Sequence, residues 1–189
     1  MKRLCFLVIC MSIIMGCSTS TSSTKALVDY VDPNIGTAHC RWFFYTPAAI
    51  PFGMAKLAPS TDAHLGNPGG WQAVGYDFRH TSIEGFANFH EFQVGGVVFA
   101  PTVGELQTVP GELENPDGGY RSRFDKKDEV AAPGYYSVLL KDYGVKAELT
   151  AMKRVGFHRY TYPKTELANL IFDIGNKQGE SGEVKDAEV

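Results

Sequence analysis

A chain of 189 residues with 44% hydrophobic and 21% charged side chains has room for one domain with a real core and would be crowded by two. Its formal net charge of −3 argues against nucleic acid as a partner, since a binder neutralises phosphates with an excess of bases. Of the four cysteines, Cys5, Cys10 and Cys17 lie in the first 17 residues and Cys40 stands apart, so no disulfide framework is left once that leading stretch is set aside.

Lys2 and Arg3 precede an apolar run, Leu4 to Met15, that is too short to span a bilayer and closes on Gly16 and Cys17. Residues 1–16 therefore read as a signal peptide, and Ile14-Met15-Gly16-Cys17 resembles a bacterial lipobox, which implies that Cys17 becomes the lipidated first residue. Cleavage there removes two bases and no acid, leaving a formal net of −5, and leaves Cys40 as the lone free thiol. A nucleophilic role for Cys40 would need an oriented base, and nothing beside it in sequence supplies one. Residues 17–25, with their Ser- and Thr-rich run, are expected to be a flexible tether.

The folded part is expected over residues 26–175. Its Gly and Pro breaks, at 67–70, 110–111, 115–119 and 133–134, are the punctuation of an all-β protein. Strands are predicted at Val94 to Pro101, Tyr135 to Lys141, Val145 to Met152, Val155 to Tyr162 and Leu167 to Ile174. In the third of these, Val145, Ala147, Leu149 and Ala151 alternate with polar residues, so one face should meet a core. Asp142-Tyr143-Gly144 supplies the preceding turn, with Gly144 free to take positive φ. Residues 176–189 form a charged tail with little apolar surface to bury.

V-D-P-N-I-G-T (31–37), P-F-G-M (51–54), G-G-W (69–71) and G-Y-D-F-R-H-T-S-I-E-G-F (75–86) follow in a fixed order, then P-G-Y-Y-S-V-L-L (133–140) and A-E-L-T-A (147–151). This order resembles the N-terminal domain of family 92 glycoside hydrolases, calcium-dependent inverting α-mannosidases. The resemblance implies a β-sandwich of the supersandwich, galactose-mutarotase-like kind, here without the C-terminal α/α barrel that the family pairs with it. Glycoside hydrolysis needs two carboxyl groups flanking the scissile bond. Asp32, Asp62, Asp77, Glu84 and Glu91 are available, but no pair is marked out. The family carries its catalytic carboxylates and most calcium ligands in the barrel, so no catalytic or metal-binding residue is assigned to this chain, which is expected to be inactive alone.

What the resemblance implies for this domain is a wall of the sugar pocket. Trp71 matches a family tryptophan near the leaving-sugar subsite, a role that suits a π-face against sugar C–H bonds. His90 matches the second histidine of a G-F-x-H-x-H stretch, Asn88 replacing the first; Glu91 and Gln93 follow it as hydroxyl partners by type. Arg41 and Trp42 belong to an aromatic cluster, Arg41 to Tyr45, that suits glycan recognition or a seam against the barrel. Asp77 and His80 make a conceivable two-residue metal clip. Expected partners are mannose-containing glycans, the helical barrel and a membrane reached through the lipid anchor, with calcium as cofactor. The expected location is the outer membrane, on its periplasmic side or at the cell surface, with α-1,2 as the default linkage. The alternative is a stand-alone lipid-anchored carbohydrate-binding sandwich.

Overall fold

The computed structural model describes residues 25–38, 45–61, 75–89, 97–176 and 184–188. In the leading unit, Leu27–Tyr30 form one turn of 3₁₀ helix, preceded by a bond from the Ala26 amide to Asp29 Oδ2 at 2.9 Å. From Val31 onward the described residues form ten strands and no α-helix.

One four-stranded antiparallel sheet has the order β1 (Ala58–Ser60), β3 (Gly85–Ala87), β4 (Val98–Val103), β10 (Ala168–Asp173). A second runs β6 (Val130–Ala132), β7 (Tyr135–Leu140), β8 (Val145–Ala151), β9 (Gly156–Thr161). β2 (Ser82–Ile83) and β5 (Ser122–Arg123) pair separately. The all-β sandwich expected from the sequence is the fold observed.

The four C-terminal strands fall where the alternation places them, each within a residue or two of the predicted ends. β4 overlaps the Val94 to Pro101 prediction and runs on to Val103. It can hold Pro101 because β3 pairs with it only as far as Phe99, so the missing N–H lies beyond that ladder. Val145, Ala147, Leu149 and Ala151 are all buried, while Lys146 and Thr150 are exposed. Across the register Val138 meets Ala147, Leu140 meets Val145 and Tyr136 meets Leu149, so β7 and β8 give the core one continuous apolar face. The turn between them carries Gly144 at φ 64°.

Phe86 packs on Tyr160 at 5.8 Å and Phe99 on His158 at 5.0 Å, joining the first sheet to β9 of the second. Leu57, Ala58, Phe86, Tyr136, Val138, Ala147 and Leu149 form the shared core, each at most 1% exposed. β9 and β10 are the edges of their sheets, and Phe157, Leu170 and Phe172 remain exposed there.

Candidate functional site

Arg41, Trp42, Trp71, His90 and Glu91, with Gln93, Cys17 and Cys40, lie outside the described residues. What is described is the framework at the ends of the segments that carry them. Tyr45 alone represents the aromatic cluster, and it is 2% exposed in the core, so it serves neither an open glycan surface nor a seam. Four large aromatics in a row suggest one common role by composition; the fold draws the last of them inward.

His90 and Glu91 follow directly on β3 and the two residues after it, Asn88 and Phe89. The turn Pro51 to Met54, the end of β3 and the β8–β9 turn meet here: the Met54 amide donates to the Lys153 carbonyl at 2.6 Å and the Lys56 amide to Asn88 at 2.8 Å. Between them lies a cleft of about 380 Å³ lined by Met54, Ala55, Asn88, Phe89, Arg154 and Gly156. A guanidinium, a primary amide and an aromatic edge around an apolar floor are groups that hold a polyhydroxylated ring. A larger hollow, about 530 Å³, runs along the open edge of β10, away from these residues.

Asn88 is fixed from beneath. Its Oδ1 accepts from His158 Nε2 at 2.8 Å, and His158 Nδ1 lies 2.8 Å from the Tyr160 hydroxyl, so a neutral ring with Nε2 protonated and Nδ1 accepting satisfies all three groups. Burial depresses His158 from 6.5 to about 4. A folded-state pKa below the unfolded one means that the stabilisation is full above pH 6.5 and is lost as pH falls through about 4. We expect acidification across that window to remove about 3 kcal/mol through this group. Urea unfolding at both ends of the window measures it, and His158→Gln should flatten the loss; an equal loss in that variant would assign it to other groups.

Residues 62–74, which include Trp71, lie outside the described residues, but the residues on either side of them are bonded to each other. The Thr61 amide donates to the Gly75 carbonyl at 2.5 Å, the Asp77 amide donates to Thr61 Oγ1 at 3.0 Å, and Arg121 donates to the Thr61 carbonyl. Asp77 is taken up by a bidentate pair with Arg79, and His80 Nδ1 faces Thr61 Oγ1 at 2.8 Å, so these two residues form no metal clip. Among the described residues no group of three or more His, Cys, Asp or Glu side chains converges as a metal site. They do not fit calcium.

A further polar unit lies where the described chain resumes after residues 39–44 and 62–74. Tyr45 stacks on Tyr76, centroids 3.9 Å apart and planes at 13°. The Tyr76 and Tyr136 hydroxyls donate to Glu129 Oε1 at 2.9 and 2.8 Å, and Lys126 Nζ to Oε2 at 2.9 Å. Lys126 also sits 4.5 to 4.8 Å from the ring centroids of Phe124, Phe78 and Tyr76. Burial, then the neighbouring charge, pushes Tyr76 and Tyr136 well up; burial lowers Lys126 against the pull of Glu129. Sequence reasoning missed this unit, because Tyr76 and Glu129 are 53 residues apart and no local pattern joins them.

The glycosyl hydrolase family 92 N-terminal domain model matches residues 30–189. The chain belongs to this family. Its fold superposes on a family 92 α-mannosidase of Bacteroides thetaiotaomicron with a TM-score of 0.74 at 39% identity, over 81% of this chain and 20% of that one. The mannoimidazole complex of that enzyme gives 0.71 at 36%, over 82% and 20%. Another family 92 glycosyl hydrolase gives 0.58 at 31%, over 79% and 20%. The chain thus spans about a fifth of the length of these solved family 92 structures. No curated protein matches it.

Proposed function

We propose that this family 92 domain is the sugar-pocket wall of an exo-α-mannosidase that hydrolyses α-mannosidic linkages, α-1,2 by default, in glycans outside the cytoplasm. The observation that carries the reading is family membership over residues 30–189, together with a relative 36% identical in this region whose structure holds mannoimidazole. The cleft beneath Asn88 and Phe89, directly before His90, supports it.

In this reading Trp71 and Trp42 stack on sugar faces, and Arg41, His90 and Glu91 meet hydroxyls. The acid and base of an inverting reaction, and the calcium, belong to a helical barrel beyond this domain, which presents its groups to the same pocket. Residues 1–16 direct secretion, Cys17 carries the lipid, residues 17–25 are the tether, 26–175 the sandwich, and 176–189 a charged tail. The product is an outer-membrane lipoprotein facing periplasm or surroundings.

The chain on its own is expected to release no mannose from an aryl α-mannoside, with calcium or with a chelator. Calcium-dependent release by the chain alone would place the chemistry in this domain and overturn the division of labour. Trp71→Ala and His90→Ala should each weaken mannoside binding by about tenfold, measured by calorimetry.

A further inference from the structure

We propose that the cleft at the end of β3 reads a hydrogen-bond acceptor on its sugar through the Asn88 side-chain amide, and that Tyr160, acting through His158, is the positioning residue that turns the amide nitrogen towards the cleft. The direction of this chain of bonds is set at its inner end. Tyr160 packs against the core from β9, burial raises its hydroxyl well above the ordinary phenol range, and that hydroxyl has no partner among the described residues except His158 Nδ1 at 2.8 Å. Were Nδ1 protonated, the Tyr160 proton would be left without an acceptor, which is costly away from water. Tyr160 therefore donates, Nδ1 accepts, and the one ring proton sits on Nε2, 2.8 Å from Asn88 Oδ1. The amide oxygen is taken up by that bond, and its two N–H groups are not.

Asn88 and Arg154 carry the polar side chains on the cleft lining. Asn88 Oδ1 is turned towards β9, where a Cβ on Gly156 would stand 2.7 Å from it, and Nδ2 bonds nothing among the described residues. Arg154 is exposed and holds no ion pair among the described residues, and a guanidinium only donates. Both polar side chains thus offer donors, so a sugar hydroxyl entering the cleft is met at its oxygen lone pairs. A sugar lacking that oxygen would leave the donors unpaired. That the ligand is a mannoside rests on the proposed function; the orientation of Asn88 does not.

Nitrogen NMR of the His158 ring and the Asn88 side-chain amide tests the orientation, and calorimetry with methyl α-mannoside tests what it reads. At neutral pH the chain should show His158 in the single Nε2-protonated form, and saturating mannoside should shift the Asn88 amide protons. Tyr160→Phe keeps the ring but removes the donor; His158 should then populate both tautomers and, with about half of the amides turned round, mannoside affinity should fall about twofold. Asn88→Asp keeps an acceptor for His158 but puts an acceptor where the cleft had a donor; it should lower affinity about tenfold, and it decides the matter if Tyr160→Phe does not fold. A ring protonated on Nδ1 in the parent, or parent-like affinity in folded Asn88→Asp, would overturn the proposal. The expected tautomer beside an Asn88 amide that no mannoside shifts would keep the positioning role of Tyr160 and remove the sugar from this cleft.

Discussion

Gly85→Ala is expected to be the most damaging single methyl addition in the first sheet. A Cβ there would stand 2.3 Å from Val98 Cγ1 and 2.9 Å from the Phe99 carbonyl oxygen. Neither neighbour can retreat, because Phe86 pairs with Phe99 and Ala87 with Val98, and both Phe86 and Val98 are fully buried. The strands must separate or β4 must shift against β10, so the cost should be about 3 kcal/mol. The midpoint of urea unfolding measures it. A loss no larger than that of an exposed substitution would mean that β3 and β4 do not approach as described.

Gly156→Ala should act on stability and binding together. Its Cβ would lie 2.5 Å from Leu57 Cδ1 and 2.7 Å from Asn88 Oδ1, the oxygen that accepts from His158. Leu57 is fully buried and cannot swing away, so Asn88 is the group that moves. We expect about 2 kcal/mol of lost stability from crowding and the broken hydrogen bond. Since Asn88 and Gly156 both line the cleft, mannoside affinity should fall as well. Parent-like affinity in a variant that is destabilised would move the sugar away from this cleft.

The strands of six or seven residues at the C-terminal end of the domain were legible because burial on one face writes a period of two into them, as in Val145 to Ala151. The turn at Gly144 and the order of the signature motifs were equally plain. β1, β2 and β5 were not: Ala-Pro-Ser, Ser-Ile and Ser-Arg are too short to show a period. The P-F-G-M motif marks the family, yet only coordinates show that Phe52 turns outward, 98% exposed at φ 58°, while Met54 lines the cleft. The site framework was hidden for a different reason. Asn88 meets His158 across 70 residues and Tyr76 meets Glu129 across 53, contacts made only by the tertiary fold. His158 and Tyr160 do lie two apart, the spacing of neighbours on one strand face, but the third member of that chain is the residue that follows β3.

The most direct measurement is an amide and indole NMR titration of the chain with methyl α-mannoside. The account predicts shifts confined to Arg41 and Trp42, Met54 and Ala55, the stretch from Asn88 to Glu91, Arg154 to Gly156, and the Trp71 indole; shifts gathered along β10 instead, or none with the sugar in large excess, would contradict it.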